Sequence, residues 1–251
     1  MTQATRFAAG GFRFLPGGQF SNGVAAEPGF ALRRLRFLAP LPLAQGLAAA
    51  ARTIAAAGRP LEALALCELR SPLPLPRDAF LAFNERYLGA LRAAGFAAEK
   101  PYPIGRSNLA PILSPPSEVL LHAVTFTVPV AGGGQDFFIS GKPESRQGVP
   151  WEQGIVGGDD VSEAGLLVKA HYVMEELRAR MAEIGADPLR ISGAQAYTIH
   201  PLAPVLHEVL GAAPMNLGGL TLVPAHPPVT GLAFEVDVRS VSEETIASPE
   251  A

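Results

Sequence analysis

Two stretches of the chain repeat apolar residues every three or four positions, the period of a helix with one buried face. In 77–94 the stripe is Phe80, Phe83, Tyr87, Leu88 and Leu91, and Gly95 follows as a stop. In 161–185 it is Leu166, Val168, Val173, Leu177 and Met181, closed by Gly185. A third helix is predicted over 43–57, an alanine-rich run without proline that ends at Gly58. A short fourth is predicted over 202–210. Elsewhere the apolar residues form short runs or alternate with polar ones, as strands do. Such runs lie at 11–26 (two brief strands), 30–38, 62–71, 119–130, 136–141, 190–200, 217–223 and 231–241. The elements read strands, helix, strand, helix, strands, and then repeat that order. Ala131-Gly132-Gly133-Gly134 makes a flexible joint near the midpoint. The simplest architecture is an α+β chain of two weakly duplicated units, 1–130 and 135–251.

Composition narrows the function. A chain of 251 residues, 48% hydrophobic and 17% charged, can bury a large core and is not disordered. A net charge of −3 supplies no basic field for nucleic acid. The longest apolar stretches are broken by Pro, Gly, Arg or Glu, so a soluble, cytoplasmic protein without membrane contact is expected. The single cysteine, Cys67, sits in the apolar run Leu64-Ala65-Leu66-Cys67 and reads as a core thiol. One cysteine cannot complete the zinc site of a nucleobase deaminase. His207-Glu208 is not followed by the second histidine of a zincin, and no phosphate-binding glycine loop is present. Neither a metal nor a cofactor is expected.

The candidate chemistry begins at Arg106. It stands with Ser107 and Asn108 where a turn containing Pro101 and Pro103 runs into an extended segment. A guanidinium fork beside a hydroxyl and an amide suits a carboxylate; a surface loop arginine is the plainer alternative. Glu235 alternates with Phe234 and Val236. Facing a cleft it would be desolvated into a usable base, and facing water it is an ordinary strand carboxylate. Arg70 and Arg239 are candidates for a second carboxylate or for structural ion pairs. Tyr197 and His200 end a strand that reaches toward a cleft; His122 reads as structural. Arg33, Arg34 and Arg36 offer an anion site, but a solvated strand face is the expected reading.

Several segments carry a resemblance. Phe80-Leu81-Ala82-Phe83-Asn84-Glu85-Arg86-Tyr87 resembles the second-helix signature of the Rid (YjgF-like) family, and Gly105-Arg106-Ser107 its Ala-Arg-Ser. Ile139-Ser140-Gly141 is similar to its Ser-Gly strand end, Gly157-Gly158-Asp159 to the turn before its first helix, and Phe234-Glu235-Val236 to its last strand. The closer likeness is to tandem Rid-type 2-aminomuconate deaminases. It is carried by Glu68-Leu69-Arg70-Ser71-Pro72, Arg106-Ser107-Asn108, Tyr197-Thr198-Ile199-His200 and 227–232.

The resemblance implies two chorismate-mutase-like units, each a mostly antiparallel sheet with two helices on one face. It implies cofactor-free hydrolysis of an enamine or imine dicarboxylate, in aromatic-amine catabolism. Arg106 would be the carboxylate clamp and Glu235 the water-activating carboxylate. Arg70, Ser107, Asn108, Ser140, Gly141, Tyr197, His200 and Arg239 would form the rest of the site. Asn216 stands where the second unit should carry the family arginine, and 38–42 replaces the first unit's Ser-Gly. Each half keeps a different part of one site, so a composite site between the units is expected. A homotrimer is also expected, because three chains supply six units and cover apolar strand faces such as 119–128. The alternative function is a non-catalytic Rid-like small-acid-binding or scaffold protein.

Overall fold

The computed structural model describes residues 3–211, 213 and 218–248. Among them the strands are β1 (Thr5–Phe7), β2 (Phe12–Leu15), β3 (Gly23–Ala26), β4 (Phe30–Pro42), β5 (Leu64–Arg70) and β6 (Gly105–Pro111). They continue with β7 (Leu120–Pro129), β8 (Phe137–Pro143), β9 (Gly193–Thr198), β10 (Leu220–His226), β11 (Glu235–Ser240) and β12 (Glu243–Ala247). The helices are α1 (Leu43–Ala56), α2 (Arg77–Ala93), α3 (Trp151–Gly154), α4 (Glu163–Ile184) and α5 (Ala203–Val205). The last runs on into a wide turn over Leu206–Leu210.

All the strands join one mixed sheet in the order β1-β2-β3-β8-β11-β9-β10-β6-β5-β7-β4-β12. The halves share a pairing pattern. β4 pairs antiparallel with β7, β7 with β5, and β5 runs parallel to β6. Likewise β8 pairs antiparallel with β11, β11 with β9, and β9 runs parallel to β10. Each parallel pair needs a crossover, which α2 and α5 supply. β6 and β10 then meet antiparallel at the centre.

The termini cross over. β3 extends the edge at β8, while β12 runs parallel along β4. Thus the first strands of the chain lie beside its second half and the last strand beside its first. β12 was not predicted, because Glu243-Glu244-Thr245-Ile246-Ala247 holds little apolar surface. Charge holds it instead: Arg33 lies 2.7 Å from Glu243, and Arg34 lies 2.7 Å from Glu244. Of the three arginines of β4, Arg33 and Arg36 keep partly exposed side chains, while Arg34 leaves the solvated face. Arg34 is buried and grips both oxygens of Glu68, at 2.6 and 2.8 Å.

Three apolar clusters hold the layers together. α1 and α2 pack Leu47, Ile54, Phe83 and Leu88 against Val124 and Phe126. α4 packs Leu166, Val173 and Leu177 against Phe137, Val236 and Val238. Each such side chain contributes about 1.5–3 kcal/mol by leaving water. Ser162 caps α4 by accepting from the Gly165 N–H at 3.2 Å. Val168 points to solvent, so the buried stripe of α4 runs through Ala170, Val173, Leu177 and Met181. The third cluster lies on the other side of the sheet, where Phe12, Phe14 and Val24 meet Leu32, Leu66 and Phe138.

The cluster under α1 and α2 bears on assembly. The trimer expectation assumed that apolar strand faces need neighbouring chains, but Leu121, Ala123, Val124 and Phe126 are fully buried within one chain. The first half's sheet is covered by the chain's own strands and helices. β10 differs in leaving Leu222 exposed, and Leu217, where that strand was predicted to begin, lies outside the described residues. Cys67 is a core thiol, pushed up to about 12 by burial. No helix among the described residues is long and apolar enough to cross a membrane.

Candidate functional site

The site starts from a staple between β6 and β8. The Ser140 hydroxyl donates to the Ser21 carbonyl at 2.7 Å and accepts from the Arg106 N–H at 3.1 Å. Residue 105 must be glycine here, since a Cβ would stand 2.8 Å from Ser140 Oγ. With the strand so fixed, alternation sends Arg106 and Asn108 toward α2 and Ser107 to the opposite face. The Arg106 guanidinium enters an aromatic cage, 4.3 Å from the Phe20 ring, 5.1 Å from Tyr87, 5.2 Å from Phe80 and 5.6 Å from Phe83. No described carboxylate comes within ion-pair distance, and Nη1 has no hydrogen-bond partner. Burial lowers its pKa to about 10, which leaves it charged at neutral pH. Asn108 accepts from the Ser71 hydroxyl at 3.0 Å and keeps its Nδ2 unpaired.

The second half supplies a carboxyl. Val236 and Val238 pack on α4, so Glu235 and Asp237 face the other way. A Cβ on residue 141 would lie 2.3 Å from Glu235 Oε1 and 2.5 Å from Tyr197 Oη, so the carboxyl and the phenol close over bare backbone. Burial pushes Glu235 up to about 8; the nearby Tyr197 hydroxyl pulls the other way, and Asp237 and Glu144 push further up. The group is mostly protonated at neutral pH, and its Oε2 has no partner. Its approach is rigid: the Glu144 carboxylate accepts from the Ala233 and Phe234 N–H groups at 2.6 and 3.2 Å. Lys169, 3.6 Å from Glu144 and bonded to the Val156 carbonyl at 2.9 Å, holds that carboxylate in turn.

Arg106 and Glu235 line one cavity of about 580 Å³. Its walls come from both halves: Phe80, Arg106 and Asn108 from one, Gly141, Lys142, Arg180 and Glu235 from the other. Arg77 and Arg146 stand at the exposed side, Arg77 over the Trp151 ring at 4.9 Å. The lining thus offers the cations Arg77, Arg106, Lys142, Arg146 and Arg180 against one carboxyl, Glu235. In a chain of net charge −3 that concentration fits an anion of more than one charge.

The other predicted residues divide. Asn108 and Gly141 line the cavity with Arg106 and Glu235. Ser140 is a brace, with its hydroxyl already bonded. Ser107 does not enter the cavity; it donates to Asp237 at 2.6 Å on the far face. Tyr197 is fully buried beside Glu235. Arg70 and Arg239 stand outside the cavity, Arg70 on the face of β5 away from the helices and Arg239 two pleats beyond Glu235 along β11. There Arg70 bonds the Leu69 carbonyl at 2.9 Å, and Arg239 lies 3.8 Å from Glu244. His200 lines a separate cavity of about 310 Å³ with His226 and Asp159. His122 is a structural residue held neutral, its pKa lowered to about 3 by burial and by Arg70. Asn216 lies outside the described residues.

Sequence reasoning missed Lys142 and Arg180. Arg180 carried a signal: it falls on the buried stripe of α4, three residues after Leu177, where a cation needs a reason. Among the described residues no group of three or more His, Cys, Asp or Glu side chains is placed to hold a metal ion.

Residues 4–245 match the family model described as 2-aminomuconate deaminase CnbZ. A 2-amino-5-chloromuconate deaminase from Comamonas testosteroni is 34% identical over 250 residues, spanning 98% of this chain and 100% of the relative. Among solved structures a chorismatase aligns with a TM-score of 0.51 at 11% identity, over 91% of this chain and 80% of its own, a likeness of fold alone. A Rid-family protein of unknown function from Yersinia pestis aligns over 43% of this chain and 79% of its own, at 18% identity and a TM-score of 0.32.

Proposed function

The chain belongs to the 2-aminomuconate deaminase CnbZ family, and from that footing we propose that it hydrolyses a 2-aminomuconate-type dicarboxylate to an oxo acid and ammonia. The observation that carries this reading is one cavity holding both a buried, unpaired guanidinium and a buried carboxyl, Glu235, whose pKa burial raises to about 8. Arg106 holds the carboxylate next to the amino-bearing carbon, its fork matched to two oxygens and its charge undiluted by a protein carboxylate. Glu235 as an acid protonates the enamine carbon, which gives the iminium tautomer. Its conjugate base then takes a proton from water as the oxygen adds to the amino-bearing carbon of the iminium. The same proton, returned to nitrogen, lets the C–N bond break and ammonia leave, while the hydroxyl proton passes to Glu235 as the carbonyl forms and restores the acid. A group with a pKa of about 8 can give and take a proton at neutral pH, which an ordinary carboxylate does poorly. Gly141, bare of a side chain, leaves the room the carboxyl occupies beside Tyr197.

We also infer that the two halves are tandem Rid-like units, supported by the strand pairing they share. Water and side chains suffice for every step, and the proposed pathway is the catabolism of aromatic amines.

The test is ammonia release from freshly generated 2-aminomuconate, followed across pH without added metal or cofactor. Activity is expected to fall above about pH 8, where Glu235 loses its proton. Glu235→Gln should reduce kcat by about 10²–10⁴-fold. Binding without turnover would favour a small-acid-binding protein instead. Activity abolished by a chelator and restored by zinc would defeat the mechanism.

A further inference from the structure

Arg106 accounts for one end of a dicarboxylate. The other end needs a second cation inside the same cavity, and neither Arg70 nor Arg239 reaches it. Arg180 does. It comes from α4, on the other half of the chain from Arg106, and is 8% exposed. It makes no hydrogen bond or ion pair with any described residue. A long cation buried on a helix stripe normally finds a carboxylate or a row of carbonyls, because burial without a partner opposes its charge. Arg106 apart, the other buried cations among the described residues obey that rule. Arg34 has Glu68, Lys169 has Glu144 and two carbonyls, and Lys142 has the Ser145 carbonyl, Tyr172 and Glu176. Glu176, Tyr172 and Glu235 act on Arg180 only at longer range.

The surroundings strengthen the reading. Arg180 and Lys142 repel one another across the same wall, and burial with that repulsion lowers Lys142 to about 8. Glu176 answers one of the two charges, and it is partly exposed. An anion seated here would relieve an excess that nothing in the described protein neutralises. Glu235 lines the same cavity as Arg106 and Arg180, and its charge when ionised acts on both. A substrate with a carboxylate at each guanidinium would lay its central carbons along the proton donor.

We infer that Arg180 is the second carboxylate clamp, the residue that makes this cavity specific for dicarboxylates over monocarboxylates. The inference rests on the deaminase reading above, with the substrate chain held at both ends. It explains how an enamine with several reactive carbons is presented in one register, because a molecule gripped at two points cannot slide.

The experiment compares two stable conjugated acids, muconate and its one-carboxylate counterpart hexa-2,4-dienoate, by calorimetric titration of the whole protein. Binding needs no turnover, so this readout is independent of catalysis. The native protein should bind muconate about 10–100-fold more tightly than the monoacid, the worth of one charged hydrogen-bonded contact. Arg180→Gln should bring the two affinities together by weakening muconate alone. Arg180→Lys, which keeps the charge and guards against misfolding of the neutral variant, should recover part of the preference. A muconate preference unchanged in Arg180→Gln overturns the clamp while leaving the deaminase reading intact. Equal loss for both acids makes Arg180 a structural residue and also overturns it. If the native protein binds neither acid, the dicarboxylate reading of the cavity fails as well.

Discussion

Arg34 and Arg106 are both 3% exposed, and the protein treats them in opposite ways. Arg34 is saturated: Glu68 accepts from it twice and Glu244 once. The pair outweighs burial, holding Glu68 below the usual carboxylate range and raising Arg34 above its own. Arg106 has four aromatic rings and no carboxylate, and burial moves its pKa down. The first arrangement closes a structure, because every charge has an answer from within the chain. The second keeps a charge poised for something the chain does not supply. Burial alone says nothing about function; burial without a partner does.

Breaking the closed arrangement should give the larger loss. Glu68→Gln leaves Arg34 facing a neutral amide, with Glu244 at 2.7 Å as the remaining carboxylate. Removing one partner of a buried pair is expected to reduce stability by about 3–5 kcal/mol, and Glu244 should keep the loss near the lower end. Urea denaturation would measure it, with most of the activity per folded molecule retained. A variant as stable as the native chain would mean that the Arg34 pair contributes nothing net.

Arg106→Lys tests the open arrangement. It keeps a charge but loses the fork, and transition-state binding should weaken by about 2–4 kcal/mol, read in kcat/KM. Stability should change little, since no internal partner is lost. Unchanged kinetics would remove Arg106 from the site, and a large drop in stability would make it a second Arg34.

The difference between these arginines was only partly legible in the sequence. The helices were readable because Phe80, Phe83, Tyr87 and Leu88 keep strict spacing, and Arg106 stood out by its neighbours. β12 was not readable, because it is held by Glu243 and Glu244 pairing with Arg33 and Arg34, more than 200 residues away in the chain. Arg70 and Arg239 were as plausible as Arg106 in sequence. What separated them was the face β5 turns to the helices for Arg70 and, for Arg239, a place farther along β11 beside Glu244, and both depend on packing across the sheet. Ser107 went astray for the same reason: one position along β6 moves a side chain to the opposite side. Arg180 could have been noticed as a cation on an apolar stripe, but only the cavity shows where it points.

A second comparison sets Glu235 against Glu68, both buried carboxyls. Glu235 is raised to about 8, so between the pKa of an unfolded glutamate and 8 the folded chain holds the extra proton. Its favourable contribution is present at low pH and is lost as pH rises through 8. The loss is limited to about 1.4 kcal/mol per pH unit for one proton. Asp237, raised to about 6 by burial and by the Glu68 charge, acts in the same direction over a lower range. The difference between native protein and Glu235→Gln between pH 6.5 and 8 therefore isolates Glu235. The native chain should lose stability relative to the variant across that interval. Parallel curves would place the Glu235 pKa in the ordinary range and weaken its role as an acid.

The smallest expected effect concerns what takes the place of a carboxylate around Arg106. Phe20 is the nearest ring, at 4.3 Å, and it comes from the loop between β2 and β3 rather than from α2. Its face meets the guanidinium by the attraction between a cation and the ring quadrupole, about 0.5–1 kcal/mol for a partly exposed pair. Phe20→Leu keeps an apolar wall and removes that face. The guanidinium should then sample more orientations, which raises KM by about 2–5-fold with kcat nearly retained. Repeating the substitution on the Arg106→Lys background separates the cage from packing. If the ring acts by orienting the fork, its effect should shrink once the fork is gone. If Phe20 merely fills space, both backgrounds should respond equally, and the contrast between a paired and a caged arginine would rest on the missing carboxylate alone.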